Sequence, residues 1–417
     1  MNRPASTPNS RPRVLHVVTS PLTLHMMRGQ LRFLREQGFE VFIASAPGSS
    51  LEEIARDEGV TAISVPMVRS VSPWNDLCAF WRLWRLMRKL RPTLTNVGTP
   101  KAGLLGGLAA WLAGVPCRIY TLRGLRLETE RGLKRRLLQF AEWLACRTAH
   151  RVVCVSESLR QLVVELGLVP REHTVVLGVG SSNGVDVSHF APTLALARRA
   201  QALRRRLGVP RNAMVLGFVG RMTPDKGVPE LLMAYMQVRR SFPRLYLLLI
   251  GSWDEEDPLP ADVRHIIETD PQILYLGVVA DPTVHYTVMN LFVLPTHREG
   301  FPNVLLEAHA AGKAVVTTRA TGAIDAVTDG VTGMLVPVGD VAALTDALAR
   351  LLRDPDLAHR MGRAGRERVS GEFRAERVWA ALAQEYDWLL ERHALPRSTA
   401  VTAGTPTKVG PFWRVAS

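Results

Sequence analysis

Residues 291–308 read LFVLPTHREGFPNVLLEA, and this stretch shows how the chain is built. Residues 291–294 form a short apolar run, which is typical of a strand buried on both faces of a parallel sheet. The residues after 302 predict a helix, and Pro302 suits its first position because a helix start needs no N–H there. The stretch therefore predicts a strand, a loop and a helix in succession.

The same succession recurs along the chain in two series. The first series has candidate strands at 13–19, 40–44, 62–65, 93–97, 118–121, 151–155 and 174–177. The second has them at 214–219, 245–250, 273–276, 291–294, 314–318 and 334–336. Segments with helical spacing include 24–37, 102–117, 133–146, 191–206 and 375–392. This alternation predicts an α/β protein with two doubly wound, Rossmann-like domains that face each other across a cleft.

The length of 417 residues agrees with two domains. The glycine-rich segment 178–184 indicates the connection between them. We predict an N-terminal domain over 1–190, a C-terminal domain over 191–375, a helix that crosses back over 376–395, and a flexible tail over 396–417.

The net charge of +14 is concentrated in one half of the chain. Residues 1–200 hold 27 Lys and Arg against 14 Asp and Glu, whereas residues 201–417 hold 25 against 24. The N-terminal half is therefore expected to face an anionic partner. Residues 80–90, FWRLWRLMRKL, place Arg82, Arg85 and Arg88 on one helical face beside tryptophans, which favours an anionic membrane surface. The alternative is an ordinary helix whose arginines are only solvated.

The sequence predicts a cytoplasmic protein on the inner face of the membrane. We see no secretion signal and no apolar run long enough to cross a bilayer. The four cysteines have no CxxC spacing and are interpreted as buried thiols of a reducing compartment.

Glu299 and Glu307 are the candidate carboxylates of the opening stretch. Glu299 lies before the helix and Glu307 lies more than one turn inside it, so the two carboxylates can hold different parts of one ligand. A carboxylate accepts hydrogen bonds from neighbouring hydroxyls, as in a ribose or a pyranose. The helix start adds N–H groups that favour an anion.

A second candidate segment, FVGRMTPDKG at 218–227, follows a predicted strand. Gly220 allows close backbone approach, and Arg221 and Lys226 supply two cations before the next helix. The alternative is a solvated charged turn. Together with Glu299 and Glu307, the cations indicate a diphosphate site and stabilisation of a departing phosphate.

These two segments resemble the nucleotide-sugar domain of glycosyltransferase family 4, which has the GT-B fold, and the resemblance extends over residues 13–392. It implies that Arg221 and Lys226 contact the donor diphosphate, that Glu307 holds the ribose hydroxyls, and that Glu299 lies at the donor sugar. The rest of the implied donor site is Gly220, Gly300, Phe301, Pro302, Asn303 and Val304. The implied activity is a retaining, metal-independent transfer of a hexosyl type, without a cofactor, by front-face substitution.

The N-terminal half resembles a subgroup that builds bacterial surface polysaccharides, through RGQ at 28–30, TPKAGLLG at 99–106 and GSSNGVD at 180–186. The implied partners are a nucleotide sugar, for which the subgroup favours UDP, and a polyprenyl-diphosphate-linked saccharide acceptor. Arg123 and Lys101 are implied contacts to acceptor or sugar. Arg123 stands where many relatives have a histidine, and it could instead bind an anionic acceptor.

No metal is expected, because the DPD sequence at 354–356 is interpreted as a turn between helices. A sugar-nucleotide epimerase of the same fold is the alternative enzyme, which products formed without acceptor would reveal. A nucleic-acid partner is not predicted, because aromatic residues do not interleave with the basic clusters as stacking platforms would. A dinucleotide oxidoreductase lacks its glycine fingerprint, since the glycines at 178, 180 and 184 have the wrong spacing.

Overall fold

The computed structural model describes residues 11–68, 70 and 72–397, and within them the chain forms two parallel sheets. The strands of the first sheet are β1 (Arg13–Val17), β2 (Glu40–Ser45), β3 (Thr61–Ser64), β4 (Leu94–Val97), β5 (Cys117–Leu122), β6 (Arg151–Cys154) and β7 (Thr174–Val176). Its helices are α1 (Gln30–Glu36), α2 (Ser49–Glu58), α3 (Pro73–Leu90), α4 (Pro100–Leu112), α5 (Gly132–Thr148) and α6 (Glu157–Glu165). The strand order is β3-β2-β1-β4-β5-β6-β7.

The second sheet has the order β10-β9-β8-β11-β12-β13. Helix α7 (Leu194–Arg206) precedes it, and its strands are β8 (Met214–Val219), β9 (Leu245–Ile250), β10 (Ile273–Tyr275), β11 (Leu291–Leu294), β12 (Ala314–Thr318) and β13 (Gly333–Val336). Its helices are α8 (Val228–Arg239), α9 (Ala261–Thr269), α10 (Thr283–Val288), α11 (Asn303–Ala310), α12 (Ala323–Ala326), α13 (Val341–Arg353) and α14 (Pro355–Glu372). The predicted fold of two doubly wound sheets is confirmed.

The last helix, α15 (Ala375–Arg392), crosses back to the first sheet. Its Leu382, Tyr386 and Leu390 are buried in the cluster that holds Val14 and Leu31 of the first domain. The helix predicted over 375–392 is therefore confirmed, and the first sheet completes its core with the final helix of the described chain.

The predicted helix over 24–37 is wrong in its continuity. A 3-10 helix spans Pro21–Met27, and α1 begins only at Gln30. Gly29 between them has a φ of +79° and lies so close to α15 that an added Cβ would be 2.3 Å from a ring carbon of Trp379. The interruption makes room for the crossing helix, a contact that local periodicity does not encode. The helix at 102–117 also ends earlier than its pattern suggests, since α4 stops at Leu112 and β5 begins at Cys117.

In both sheets the strand order reverses direction beside the first strand, between β1 and β4 and between β8 and β11. Ligands of open α/β sheets bind at such a point, beyond the carboxyl ends of the strands. The loops after β8 and β11 are the two segments chosen from the sequence, so they meet at the reversal of the second sheet.

Candidate active site

The loops after β8 and β11 are joined by an ion pair. Lys226 Nζ lies 2.5 Å from Glu299 Oε1, and each side chain is 15% exposed. The backbone supports this pair, because His297 N donates to Asp225 O at 2.9 Å. Gly227 makes the approach feasible, since a Cβ there would lie 1.9 Å from Pro295 O. Two of the predicted site residues are therefore in direct contact.

Arg221 is held by two carboxylates. Its Nη1 lies 2.5 Å from Asp254 Oδ2, and its Nη2 lies 3.6 Å from Asp225 Oδ2. Asp225 also receives a hydrogen bond from Arg298 Nη2 at 2.8 Å. Burial alone would raise the pKa of Asp225, but the hydrogen bond from Thr223 and the nearby cations lower it below its usual value. The loop is thus a network of fixed charges, in which Arg221 keeps a third of its side chain exposed.

Glu307 lies inside α11 and faces α10. Tyr286 Oη donates to Glu307 Oε2 at 2.8 Å and approaches Val304 O at 3.3 Å. Burial raises the pKa of Glu307, and the hydrogen bond from Tyr286 opposes that rise. Glu307 therefore contacts different residues from Glu299, as expected from its position more than one turn inside the helix.

The residues between the two carboxylates shape the loop. Helix α11 begins at Asn303 with Pro302 as its N-cap, one residue later than the sequence indicated. Phe301 is buried against Phe373, with ring centroids 5.4 Å apart, so its side chain anchors the loop. Asn303 Oδ1 accepts a hydrogen bond from Ser181 Oγ of the first domain at 2.9 Å. What remains for a ligand here is the backbone of the first turn, whose N–H groups favour an anion.

Gly300 and Gly220 are sites of close backbone approach. A Cβ on Gly300 would lie 2.2 Å from Arg123 O, across the domain boundary. Gly220 N donates to Ile250 O at 2.9 Å. The carbonyl oxygen of Gly220 is so close to Gly251 that a Cβ on Gly251 would lie 1.8 Å from it. Gly300 and Gly251 therefore allow loops of different strands to touch, whereas a Cβ on Gly220 would meet only the ring of Phe218, at 3.1 Å.

The two domains are in direct polar contact around this site. Ser156 Oγ donates to Gly300 O at 2.7 Å, and Thr321 Oγ1 donates to Glu128 Oε2 at 2.7 Å. Asp325 Oδ1 accepts the backbone N–H groups of residues 157 and 158 at 3.2 Å each, so a carboxylate of the second domain caps α6 of the first. The loops from both sheets therefore form one continuous surface.

Of the two predicted acceptor or sugar contacts, Lys101 forms an ion pair, whereas two guanidinium nitrogens of Arg123 have no partner among the described residues. Lys101 Nζ lies 2.6 Å from Asp76 Oδ1 of α3, and its side chain is 14% exposed, so a ligand would compete with this ion pair. Arg123 follows β5, and its Nε and Nη1 are shielded from solvent without a hydrogen-bond partner among the described residues.

No group of three or more His, Cys, Asp or Glu side chains is arranged to hold a metal ion within the described residues. Asp354 joins α13 to α14 and N-caps α14 through Leu357 N at 2.8 Å. The DPD sequence therefore lies between two helices, as predicted, but residues 355 and 356 already belong to α14. Within the same residues, no helix is both long and apolar enough to cross a membrane.

Comparisons with known proteins place this chain in one family. Residues 25–180 match the family model described as "Glycosyl transferase 4-like domain". Residues 200–368 match the family model described as "Glycosyl transferases group 1". The capsular polysaccharide biosynthesis glycosyltransferase CapM of Staphylococcus aureus is 36% identical over 91% of this chain and 98% of its own length. The chain belongs to the family 4 glycosyltransferases.

A second relative and two solved structures are similar to this glycosyltransferase at lower identity. The UDP-Gal:alpha-D-GlcNAc-diphosphoundecaprenol alpha-1,3-galactosyltransferase of Escherichia coli is 26% identical, over 83% of this chain and 89% of that one. Among solved structures, HepE of Anabaena in complex with UDP and glucose has a TM-score of 0.72 at 18% identity, over 90% of this chain and 99% of that one. Sucrose-phosphate synthase of Thermosynechococcus elongatus has a TM-score of 0.75 at 20% identity, over 92% of this chain and all of that one. At these identities the structures show the shared GT-B fold.

Sequence reasoning missed several residues of the candidate site. They are Glu128, Asp254, Tyr286, Thr321 and Asp325. Each is distant in sequence from the residue it contacts, and none belongs to a recognisable motif. Burial raises the pKa of Glu128, which the hydrogen bond from Thr321 and the positive charge of Arg298 oppose. Packing within the second domain brings Asp254 to Arg221 and Tyr286 to Glu307. Packing of one domain on the other brings Thr321 to Glu128 and Asp325 to the start of α6.

Proposed function

We propose that this glycosyltransferase moves a hexosyl group from a UDP-sugar to a polyprenyl-diphosphate-linked saccharide, with retention of anomeric configuration, in the synthesis of a surface polysaccharide. The ion pair of Lys226 and Glu299 at the strand reversal carries the proposal. It puts a cation and a carboxylate together where a sugar diphosphate would present an anion beside hydroxyl groups. The names of the relatives support the substrates, because CapM acts in capsule synthesis and the E. coli enzyme uses UDP-Gal and a diphosphoundecaprenol acceptor.

The proposed roles follow from the contacts. Lys226 and Arg221 stabilise the charge that develops on the leaving diphosphate, a task for fixed cations in a site shielded from water. Glu299 then accepts hydrogen bonds from the sugar, and Glu307 accepts them from the ribose. The departing phosphate takes the acceptor's proton on the same face, so the protein supplies position and charge and no nucleophile. Two protein cations replace a metal ion in this scheme.

A donor panel tests the proposal. Purified enzyme is heated with UDP-, GDP- and ADP-sugars, and the proposal expects stabilisation by UDP-sugars through mass action. Transfer to a lipid-linked acceptor is then followed by NMR of the anomeric proton, with and without EDTA. Inversion of the anomeric configuration, or loss of activity that Mn²⁺ or Mg²⁺ restores, contradicts the mechanism. Isomerised sugar without acceptor would favour the epimerase.

The acceptor proposal includes an anionic membrane surface. Helices α3, α4 and α5 pack side by side in the first domain. They carry exposed apolar side chains, with Trp74 at 74%, Trp111 at 55% and Phe140 at 61% exposure. The basic residues beside them are also exposed, and they are Arg82, Arg85, Arg88, Lys89, Lys134, Arg135 and Arg136. Aromatic rings suit the headgroup layer, while each basic residue adds about 1 kcal/mol near an anionic leaflet.

Liposome sedimentation tests this surface. The wild-type enzyme should bind vesicles that contain anionic lipid at low salt and should dissociate as salt rises, because salt screens the attraction. Substitution of Arg82, Arg85 and Arg88 by Glu should reduce binding without changing UDP affinity. A matched control makes the same change at residues 360, 363 and 366 of α14, in the second domain. Equal loss of binding in both triple variants would contradict the assignment to α3.

A further inference from the structure

Arg123 is a partly buried cation with two guanidinium nitrogens that no described residue neutralises. Among the described residues, neither Nε nor Nη1 has a hydrogen-bond partner. Burial lowers the pKa of Arg123 to about 10, with Tyr386 acting in the opposite direction, so the guanidinium remains charged at neutral pH. An unpaired charge removed from water is costly, and a native protein retains one where a ligand completes the interaction.

The position of Arg123 is at the junction of three loops. It follows β5, and a Cβ on Gly98, which follows β4, would lie 3.4 Å from Arg123 Nε. Its own carbonyl oxygen faces Gly300 of the second domain, next to Glu299. The guanidinium therefore lies at the carboxyl ends of β4 and β5, while the backbone of the same residue contacts the second domain beside Glu299.

The surroundings of Arg123 are polar but uncharged. Asn96 Nδ2 donates to Tyr386 Oη at 2.7 Å, and Thr121 Oγ1 donates to Asn96 Oδ1 at 2.8 Å. Burial and the charge of Arg123 lower the pKa of His16 to about 3, so this imidazole is neutral. Neither Nε nor Nη1 of Arg123 is engaged by a carboxylate of the described residues, so both donors are available to an incoming anion.

We infer that Arg123 binds an oxyanion carried by a substrate, apart from the donor diphosphate held by Arg221 and Lys226. This inference rests on the proposed function, which supplies two sources of that chemistry. One is the diphosphate of the lipid-linked acceptor, and the other is a carboxylate on the transferred sugar. Arginine suits either, because its planar fork donates two parallel hydrogen bonds to phosphate or carboxylate.

The test compares Arg123→Gln and Arg123→Lys with the wild-type enzyme. Farnesyl diphosphate, a short polyprenyl diphosphate without a sugar, is titrated into UDP-saturated enzyme, and UDP-glucuronate is compared with UDP-glucose in a separate titration. If Arg123 binds the acceptor diphosphate, R123Q should lower the affinity for farnesyl diphosphate at least tenfold. If it binds a carboxylate of the transferred sugar, R123Q should lower the affinity for UDP-glucuronate at least tenfold and leave that for UDP-glucose unchanged. R123K should retain part of the affinity that R123Q loses, and the affinity for UDP should not change in either variant. Arg126→Gln, an exposed arginine three residues later, serves as the control.

A second measurement separates ligand binding from a structural role. Arg123→Met removes the unpaired charge, so the ligand-free variant should melt at a higher temperature than the wild type while losing transfer activity. Unchanged affinity of R123Q for both probes, or wild-type binding to neither, overturns the inference. A lower melting temperature for R123M with unchanged affinities would make Arg123 a structural residue. Failure of every donor in the transfer assay would count against the proposed function instead, because the farnesyl diphosphate titration reads Arg123 without turnover.

Discussion

Gly300→Ala should hold the two domains apart. The added Cβ would lie 2.2 Å from Arg123 O, 2.3 Å from its carbonyl carbon and 2.8 Å from Gly124 N. Backbone atoms cannot rotate away, so the loops must separate by about 1 Å to reach ordinary contact. Gly300 does not have a positive φ, which means that alanine adds this clash without backbone strain.

The magnitude follows from where the clash occurs. Overpacking of this kind costs about 1–3 kcal/mol. Because the two clashing loops belong to different domains, the cost falls on domain closure and leaves the folding of each domain intact. A cost of this size lowers the closed population roughly 5- to 150-fold relative to the open one, and kcat/KM should fall by a similar factor.

Steady-state transfer and small-angle X-ray scattering together check this prediction. G300A should show reduced kcat/KM and a larger radius of gyration in the presence of UDP, while its UDP affinity changes little. Gly371→Ala is the matched control, because a Cβ there meets nothing within 4 Å. Wild-type turnover together with wild-type scattering in G300A would refute the reasoning.

Three further predictions concern single side chains. Lys226→Ala should lower kcat about 10²- to 10³-fold in steady-state assays, as loss of one leaving-group stabiliser does, and a rate within threefold of wild type would contradict its role. Glu307→Gln should weaken UDP binding by about tenfold or more in calorimetry, because it removes a charged hydrogen-bond acceptor, while Tyr286→Phe should have a smaller effect. Burial raises the pKa of Glu142 to about 7, with the hydrogen bond from Tyr120 opposing the rise. Protonated Glu142 contributes stability that is complete below its unfolded-state pKa near 4.5 and is lost as pH rises through 7, so the free energy of unfolding falls by about 3 kcal/mol over this range. In urea unfolding at pH 5 and pH 8, Glu142→Gln should therefore show a smaller pH dependence of that free energy than the wild type.

The sequence was informative where structure depends on local patterns. Buried parallel strands are short apolar runs, so the strand positions were predicted to within about two residues. Helical spacing likewise located α15 from Ala375 to Arg392. The charged loops after β8 and β11 could also be located, since each follows an apolar strand and combines glycine with charged residues. These features are properties of a single segment.

The features that the sequence did not predict depend on contacts between two distant segments. The break before α1 exists because Trp379 of α15 packs on Gly29, which lies 350 residues away. The cap of α6 comes from Asp325, and the hydrogen-bond partner of Glu128 is Thr321. A single sequence contains both members of each pair without indicating that they meet.

The return of α15 to the first sheet has a consequence for synthesis on the ribosome. The second domain has all its strands and helices α7–α14 once residue 372 has emerged, whereas the first domain still lacks Leu382, Tyr386 and Leu390 of its core. The domain that is translated first is therefore completed last, and its apolar groove stays open to water while the rest of the chain is made. A nascent chain arrested before residue 375 would expose that groove and become a substrate for chaperones.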